Sequence, residues 1–262
     1  MMPSETTRSI QQNIKQMEHD YISLFTSYKA DKFKIIYQDN TIKDMYTHNF
    51  TLYKDFTAML EDIPIQLNHV QANFYRVETY HKVTLSDFPL LSKHPNITVY
   101  DIYHINSSAY PSLLETKQCH VLKATTAMHY ADGADIDIEA NAPSMGKEFA
   151  VRRIKRKIDI YKNPNTPIDF YVCYYKNIPV GNIEYAYNTN TVKLEDFDIL
   201  PKYQRLGFGR TILKVLLKRA YENHIDDVYL LTDQDDTAKY MYQKCGFKKI
   251  GEKTELFFSL TP

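Results

Sequence analysis

Residues 193–209 read KLEDFDILPKYQRLGFG, and this stretch determines how the rest of the chain is interpreted. Apolar and acidic side chains alternate from Leu194 to Leu200, and the run ends at Pro201, which cannot continue a central strand. Apolar side chains then recur at helical spacing over residues 211–221. The stretch therefore predicts a strand, a short turn that contains glycines, and an amphipathic helix.

The predicted turn has the features of an anion-binding site. The first amides of a helix lack partners inside the helix and lie at the positive end of its dipole. Gly207 and Gly209 have no Cβ atom to hold a ligand away from this backbone, so we expect a phosphate or pyrophosphate there. The spacing matches neither the GxxxxGK(S/T) loop nor the dinucleotide-binding loop, whose third glycine is replaced by Ile212.

Two motifs in the C-terminal part of the chain resemble those of one enzyme superfamily. The pattern Gln204-x-x-Gly207-x-Gly209, placed after a strand, resembles the acyl-CoA loop of the GNAT superfamily of N-acyltransferases. A short apolar strand at residues 228–232 follows, and then DDTAKYMYQKCGF at residues 235–247. This second motif is similar to the later helix of the family, which usually reads A-x-x-L-Y-x-K-x-G-F. The resemblance covers residues 118–262.

The resemblance implies an α/β (α+β) fold with a mixed, mainly antiparallel sheet, splayed central strands and flanking helices. It implies acetyl-CoA as co-substrate. The histidines form no HxxxH or HExxH spacing, so no metal is expected. In the family, loop amides hold the pyrophosphate, and the pantetheine arm pairs with the main chain of the preceding strand. The expected cofactor-binding residues are Phe197, Asp198, Ile199, Gln204, Arg205, Leu206, Gly207, Phe208, Gly209, Arg210 and Asp235.

The resemblance also implies direct transfer of an acetyl group to a primary amine. Tyr242 stands where the family places a tyrosine near the CoA sulfur, so it is the expected general acid; the alternative is a half-buried helix tyrosine. Some family members have the base at the position of Leu194, so here the base lies elsewhere or is water. We favour Asp196 over Glu195, and the alternative is that both carboxylates shape the acceptor pocket electrostatically.

Other functions are compatible with parts of the sequence. The main alternative is a non-catalytic acyl-CoA sensor or interaction module. The acidic segment 128–145 is expected to be a solvated loop, and the alternative is contact with the acceptor, which is either a small molecule or a protein. A basic cluster predicts a solvated helix face, with a patch for an acidic partner or CoA phosphates as the alternative. Its members are Arg152, Arg153, Lys155, Arg156 and Lys157.

Composition gives expectations about partners and compartment. The 262 residues include 32 basic and 32 acidic side chains, so no net charge favours nucleic acid or a membrane as partner. Cys119, Cys173 and Cys245 show no paired spacing, which is typical of a reducing cytosol. Cys245 is expected to pack at a helix end rather than act as a nucleophile. The N-terminus lacks an apolar signal core, so we expect a cytoplasmic protein.

The N-terminal part, residues 1–117, is predicted to be an α/β domain of unknown role. A helix at residues 7–28 is followed by alternating strands and helices, and all seven glycines lie at or after Gly133. This order fits a degenerate GNAT-like half, which would make the chain a tandem protein. The first helix is expected to pack on its own domain; the alternative is a homodimer contact.

Overall fold

The computed structural model describes residues 4–89, 91 and 93–260, and its chain forms two compact units. The larger unit comprises the residues up to Tyr21, Tyr103–Leu231 and Thr237–Ile250. The smaller unit comprises Ile22–Ile102, Thr232–Asp236 and the residues from Gly251 onward. These units do not divide at residue 117, where the sequence predicts a boundary, because the first helix belongs mainly to the larger unit and the residues from Gly251 onward belong to the smaller one.

Six helices and eleven strands make up the regular structure of the described residues, apart from three 3₁₀ turns. The helices are α1 (Glu5–Ser23), α2 (Phe56–His69), α3 (Ala127–Met145), α4 (Lys147–Tyr161), α5 (Phe208–Glu222) and α6 (Lys239–Lys244). The strands are β1 (Ser27–Ala30), β2 (Lys34–Gln38), β3 (Phe50–Tyr53), β4 (Phe74–Thr79), β5 (Asn96–Asn106), β6 (Cys119–Lys123), β7 (Ile168–Tyr175), β8 (Ile178–Tyr187), β9 (Thr191–Ile199), β10 (Asp227–Asp233) and β11 (Lys248–Ser259).

The sheet of the larger unit has the predicted mixed topology. Its strand order is β10-β9-β8-β7-β6, with antiparallel neighbours from β6 to β9. β9 and β10 are parallel, because α5 crosses over between them. Their paired residues end at Leu194 and Leu230, although β9 continues to Ile199. The central strands therefore separate beyond Leu194, as expected for a splayed sheet.

The core of the larger unit lies between this sheet and α5. The apolar residues that define the predicted helical face are fully buried; they are Ile212, Leu213, Leu216, Leu217 and Ala220. Removal of each large apolar side chain from water contributes about 1.5–3 kcal/mol. Packing of this face holds the glycine turn against the end of β9.

A β-bulge in β9 determines which side chains face which side of the sheet. Glu184 pairs with Glu195 and Asn182 pairs with Asp198, so β9 contains one extra residue between these pairs. Asp196 has a φ of 45° at this point. One face then carries Lys193, Glu195, Asp196 and Asp198 toward α1, α3 and α4. The opposite face carries Leu194, Phe197 and Ile199 toward the core.

Residues 127–161 form two helices that are separated at Gly146. α3 starts at Ala127, where Thr126 Oγ1 accepts a hydrogen bond from His129 N, so the expected loop at 128–145 is helical. α4 begins after Gly146, whose φ of 83° permits the break. Ser144, near the end of α3, donates its hydroxyl to Asn141 O in the same helix.

The smaller unit repeats the order of connections found in the larger one. β1, β2 and β3 are antiparallel neighbours, and β3 is parallel to β4 with α2 between them. The succession of β7, β8, β9, α5 and β10 has the same senses of pairing. Residues Thr254 to Ser259 of β11 then pair antiparallel with β4. This repetition is the topology expected of a degenerate GNAT-like half.

The predicted end of the first helix was wrong, because α1 ends at Ser23 rather than at residue 28. α2 contains Pro64 and continues to His69. Met59 and Ile63 on α2 are fully buried, so their packing offsets the backbone hydrogen bond that Pro64 cannot donate. None of the helices in the described residues combines the length and apolar character needed to cross a bilayer.

Candidate functional site

The glycine turn joins β9 to α5 and leaves backbone amides available. Gly207 is the N-cap of α5, with a left-handed φ of 90° and no side-chain cap. The amide of Thr211 donates to Gly207 O over 3.1 Å. Within the described residues, the preceding amides at 205–210 have no backbone acceptor. The turn therefore presents unpaired donors at a helix N-terminus, which is a site suited to an anion.

Gly207 and Gly209 are required for different reasons. A Cβ at Gly207 would lie 2.7 Å from Thr116 Oγ1, and the backbone there is left-handed. A Cβ at Gly209 would lie 2.7 Å from Met241 Sδ and 3.5 Å from the Phe197 ring. Gly209 is buried, so it allows α5, α6 and β9 to pack closely rather than facing a ligand.

Arg210 adds a positive charge to the turn. Its Nε is buried and has no hydrogen-bond partner among the described residues, and its Nη2 lies 3.6 Å from the Cβ position built on Gly207. A guanidinium group with an unsatisfied buried donor is poised to bind an anion. Arg205 is exposed, with a φ of 62°.

The other predicted cofactor residues occupy varied environments. Gln204 Nε2 donates to Ile199 O over 3.0 Å, so this carbonyl already has a partner. Leu206 is exposed, whereas Phe208 is buried against the rings of Tyr175 and Tyr203. Asp235 lies in the smaller unit, and its amide donates to the Asp233 carboxylate in an exposed turn.

Tyr242 lies next to the end of β9, on the core face. It is buried within α6, and its ring centroid lies 6.4 Å from those of both Phe197 and Tyr103. Cys245, at the end of the same helix, is also buried, and burial raises the pKa of its thiol. The structure thus brings Tyr242 and Phe197 together beside the glycine turn. The role of Tyr242 as general acid stays a prediction.

Asp196 is bound in ion pairs. Its Oδ2 accepts hydrogen bonds from Arg153 Nη2 and from Lys157 Nζ, the latter over 2.5 Å. Although burial opposes the shift, these two cations hold the pKa of Asp196 well below its ordinary value. A carboxylate stabilised in this way is a weak proton acceptor, so the structure disfavours Asp196 as the base.

Asp198 is in the opposite electrostatic state. Burial raises its pKa to about 7, and the nearby carboxylates of Asp196 and Asp137 add to the effect. Asn141 Nδ2 donates to Asp198 Oδ2 over 3.2 Å. Asp198 was predicted to contact the cofactor, but a carboxylate with this pKa is suited to take a proton near neutral pH. Glu195 pairs with Lys193 at 3.0 Å.

Lys157 connects Asp196 to a buried polar network around Glu184. Glu184 accepts hydrogen bonds from Lys157 over 2.6 Å, from Tyr21 over 2.6 Å and from Tyr161. Burial raises the pKa of Glu184 to about 7, although Lys157 opposes the shift. Arg153 also donates to both carboxylate oxygens of Asp137, at 3.0 and 2.8 Å.

This network corrects the interpretation of the basic cluster on α4. Arg153 and Lys157 are buried, at 7% and 3% exposure, whereas Arg152 and Lys155 are exposed. Helical spacing indicates the burial that was missed, because residues 153 and 157 share a face with Ile154 and Tyr161. Two members of the predicted solvated face are therefore internal partners of carboxylates.

Part of the chain matches a known protein family, and most of its length aligns with a known relative. Residues 140–256 match a family model described as an acetyltransferase (GNAT) domain. The chain is also 26% identical over 247 residues to an uncharacterized N-acetyltransferase, CgeE, of Bacillus subtilis (strain 168). That alignment covers 88% of this chain and 92% of the relative.

Solved structures with the same fold extend over nearly the whole chain. A functionally unknown conserved protein from Staphylococcus epidermidis matches with a TM-score of 0.75 at 22% identity, covering 90% of this chain and 95% of that protein. A GCN5-related N-acetyltransferase from Kribbella flavida matches with a TM-score of 0.62 at 11% identity, covering 100% and 98%. The glycine turn and the separated central strands lie within residues 140–256, which match the acetyltransferase (GNAT) domain model, and the chain shares its overall fold with these solved structures.

Proposed function

We propose that the protein is an N-acetyltransferase that uses acetyl-CoA to acetylate a primary amine. The observation that carries this proposal is the turn at residues 205–210, where backbone amides without backbone acceptors stand beside the buried, unpartnered Nε of Arg210. Amides at a helix N-terminus and a guanidinium group together suit a diphosphate. The left-handed Gly207 keeps the backbone of this turn open to the ligand.

Acetyl-CoA, when bound, supplies an acetyl thioester that an amine can attack. The chain must bind the diphosphate, accept a proton from the amine, and protonate the sulfur that departs. The amides at 205–210 and Arg210 serve the first role. The end of β9, beyond its last pair with β10 at Leu194, leaves unpaired main chain for the pantetheine arm.

Asp198 is the group that we assign as general base, in place of Asp196. A base for an ammonium acceptor must be ionised at working pH and must still have appreciable proton affinity. The pKa of Asp198, raised to about 7, satisfies both conditions, whereas the ion-paired Asp196 satisfies only the first. Tyr242 is the proposed acid that gives its phenolic proton to the departing sulfur.

The charges around Asp198 favour a cationic acceptor. Four carboxyl groups lie in the connected network, at Asp137, Glu184, Asp196 and Asp198. The two cations in it, Arg153 and Lys157, are already engaged with these carboxylates. An incoming ammonium group meets a negative potential there, whereas an anionic acceptor is repelled. Both a small amine and a protein amine satisfy this requirement.

Calorimetry with CoA and a thiol-release assay with acetyl-CoA over a panel of primary amines test the proposal. We expect Arg210→Gln to weaken CoA binding by tenfold or more, because each charge-assisted hydrogen bond contributes about 1.5–3 kcal/mol. Lys218→Gln, which removes an exposed cation from the same helix, is the matched control and should leave binding unchanged. Absence of CoA binding would contradict the proposal, and binding without turnover of any amine would indicate the sensor instead.

A further inference from the structure

Two cysteines face each other at the edge of the larger sheet. Cys119 Sγ lies 3.0 Å from Cys173 Sγ, although 54 residues separate them in sequence. Val121 is the direct partner of Cys173, and Cys119 is the partner of Tyr175, so the two thiols are diagonal neighbours on one sheet face. Cys173 is buried in the core, and Cys119 is partly exposed at the first residue of β6.

Residues at or near the ends of both strands that carry these thiols contact the glycine turn or the start of α5. Thr116, three residues before Cys119, donates its amide to Thr211 Oγ1 over 2.8 Å and its hydroxyl to Leu206 O over 3.3 Å. On the other strand, the ring of Tyr175 packs against Phe208 with centroids 5.0 Å apart. The thiol pair is therefore linked on both sides to the segment that begins α5.

We propose that Cys119 and Cys173 form a reversible disulfide, and that this disulfide lowers the affinity of the glycine turn for the CoA diphosphate. The consequence for affinity rests on the proposed function of the turn, whereas formation of the disulfide does not. Disulfides in reducing compartments are usually transient and redox-sensing, which is the behaviour inferred for this pair.

The two cysteines have distinct roles in the oxidation. The hydrogen bond from Cys173 lowers the pKa of Cys119, which is also the more accessible thiol, so Cys119 is the attacking thiolate. It attacks one oxygen of a hydroperoxide, becomes a sulfenic acid and releases the other oxygen as water or alcohol. The Cys173 thiol then attacks this sulfur and expels water. Two thiols are oxidised, the peroxide is reduced, and an external dithiol reverses the reaction.

Bond formation requires movement near the turn. The sulfurs must approach from 3.0 Å to about 2.05 Å, and Cys173 is fixed by pairing with strands on both sides of β7. β6 is paired only with β7, so Cys119 and the segment before it move instead. Two hydrogen bonds that fasten this segment are long, at 3.4 Å for Cys119 N to Thr116 O and 3.3 Å for Thr116 Oγ1 to Leu206 O. A displacement of about 1 Å breaks bonds of this length.

The test uses the full-length protein, treated with hydrogen peroxide or fully reduced. Non-reducing peptide mapping detects the cross-link, and calorimetry with CoA measures affinity. In wild type we expect a Cys119–Cys173 cross-link and a Kd for CoA raised about tenfold, as for the loss of a supporting hydrogen bond. Dithiothreitol should restore the original Kd. Cys245→Ser, the matched control, should behave as wild type, and Cys119→Ser should show neither effect.

The outcomes separate this inference from the proposed function. Absence of a Cys119–Cys173 cross-link in oxidised wild type overturns the inference, and a cross-link with unchanged CoA affinity overturns its regulatory part. A reduced protein that binds no CoA contradicts the proposed function, while the peptide map still decides on the disulfide. Cys173→Ser, which alters the core, is the second variant, and Cys119→Ser retains the test if that variant fails to fold.

Discussion

Asp196 and Asp198 lie on the same face of β9, but only Asp196 receives cations. Arg153 and Lys157 both donate to Asp196 Oδ2, whereas Asp198 accepts from the neutral amide of Asn141. The pKa of Asp196 is lowered and that of Asp198 is raised to about 7. Two neighbouring carboxylates with opposite shifts are a common arrangement where one acts as a base and the other stays ionised.

The pH dependence of acetylation distinguishes the two candidates for the base. Asp198 must be deprotonated to accept a proton, so kcat/KM should rise with pH and level off above about 7. Asp198→Asn should lower kcat/KM by roughly 10²–10⁴-fold and abolish this inflection. Glu195→Gln is the control and should retain both activity and inflection.

Asp196→Asn gives the complementary result. Loss of its charge removes repulsion from Asp198 and frees Arg153, and both changes lower the pKa of Asp198. The inflection should therefore move to lower pH rather than disappear. Loss of the inflection in Asp196→Asn, with its persistence in Asp198→Asn, would reassign the base to Asp196.

The bulge explains why the sequence did not predict that Glu195 and Asp196 share a face, and the cations that distinguish Asp196 from Asp198 come from α4. Strict alternation along a strand puts residues 195 and 196 on opposite faces, and we weighed Glu195 and Asp196 on that basis. The extra residue at Asp196 puts the side chains of Glu195 and Asp196 on the face toward α4 and α1. No glycine marks this bulge in the sequence, because the residue with a φ of 45° is an aspartate. The glycine turn, in contrast, was predictable, since Gly207 reports its own left-handed backbone.

The carboxylate partners of Arg153 and Lys157 could also not be predicted from the sequence. A lysine and an arginine among five basic residues on α4 look solvated until the carboxylates that face them are known, and those come from β8, β9 and α3. Tyr21, from the first helix, completes this cluster within the larger unit. Helical spacing indicates that Arg153 and Lys157 share the apolar face of α4, but their partners are distant in sequence, so only the tertiary structure identifies them.

Lys157→Met should be strongly destabilising. The side chain is buried and neutralises Glu184 and Asp196, and removal of one member of a buried ion pair typically costs about 3–5 kcal/mol. Urea unfolding measures the loss, and Lys155→Met, on the exposed side of α4, is the control and should change stability by less than about 0.5 kcal/mol.

The pH dependence of that loss identifies the carboxylate responsible. The pKa of Glu184 is about 7 in the folded protein and 4.5 in its ordinary state, so the folded state binds more protons between these values. The contribution of Glu184 to stability therefore falls as pH rises from 4.5 through 7. Without Lys157 the pKa of Glu184 rises further, so the decline should extend to higher pH, and adding Glu184→Gln should restore part of the lost stability. An equal effect of Lys157→Met at pH 5 and pH 8 would contradict this explanation.

Gly207→Ala should separate ligand binding from backbone strain. Both Gly207 and Gly146 have positive φ, at 90° and 83°, and an alanine there costs about 1–2 kcal/mol. A Cβ at Gly207 also meets Thr116 Oγ1 at 2.7 Å, while a Cβ at Gly146 meets nothing within 4 Å. We expect both variants to lose stability in urea unfolding and only Gly207→Ala to lose CoA affinity by calorimetry. A similar loss of affinity in Gly146→Ala would attribute the effect to general destabilisation.

The repeated topology raises the question of a second CoA site, and the structure predicts that there is none. α2 follows β3 as α5 follows β9, but no glycine precedes Gly133 in the chain. At the N-terminus of α2, the Asp55 carboxylate accepts a hydrogen bond from Ala58 N over 2.8 Å. A carboxylate at this position satisfies an amide that a phosphate would need, and it repels an anion.

Calorimetry should therefore give a stoichiometry of one CoA for each chain. Asp55→Ala should cost about 1 kcal/mol of stability through the lost cap, without creating a second site, because the turn before α2 still lacks glycine. The binding curve of this variant should superimpose on that of wild type. Two molecules bound to each wild-type chain would show that the smaller unit holds a diphosphate by other groups, and that the Asp55 cap does not exclude it.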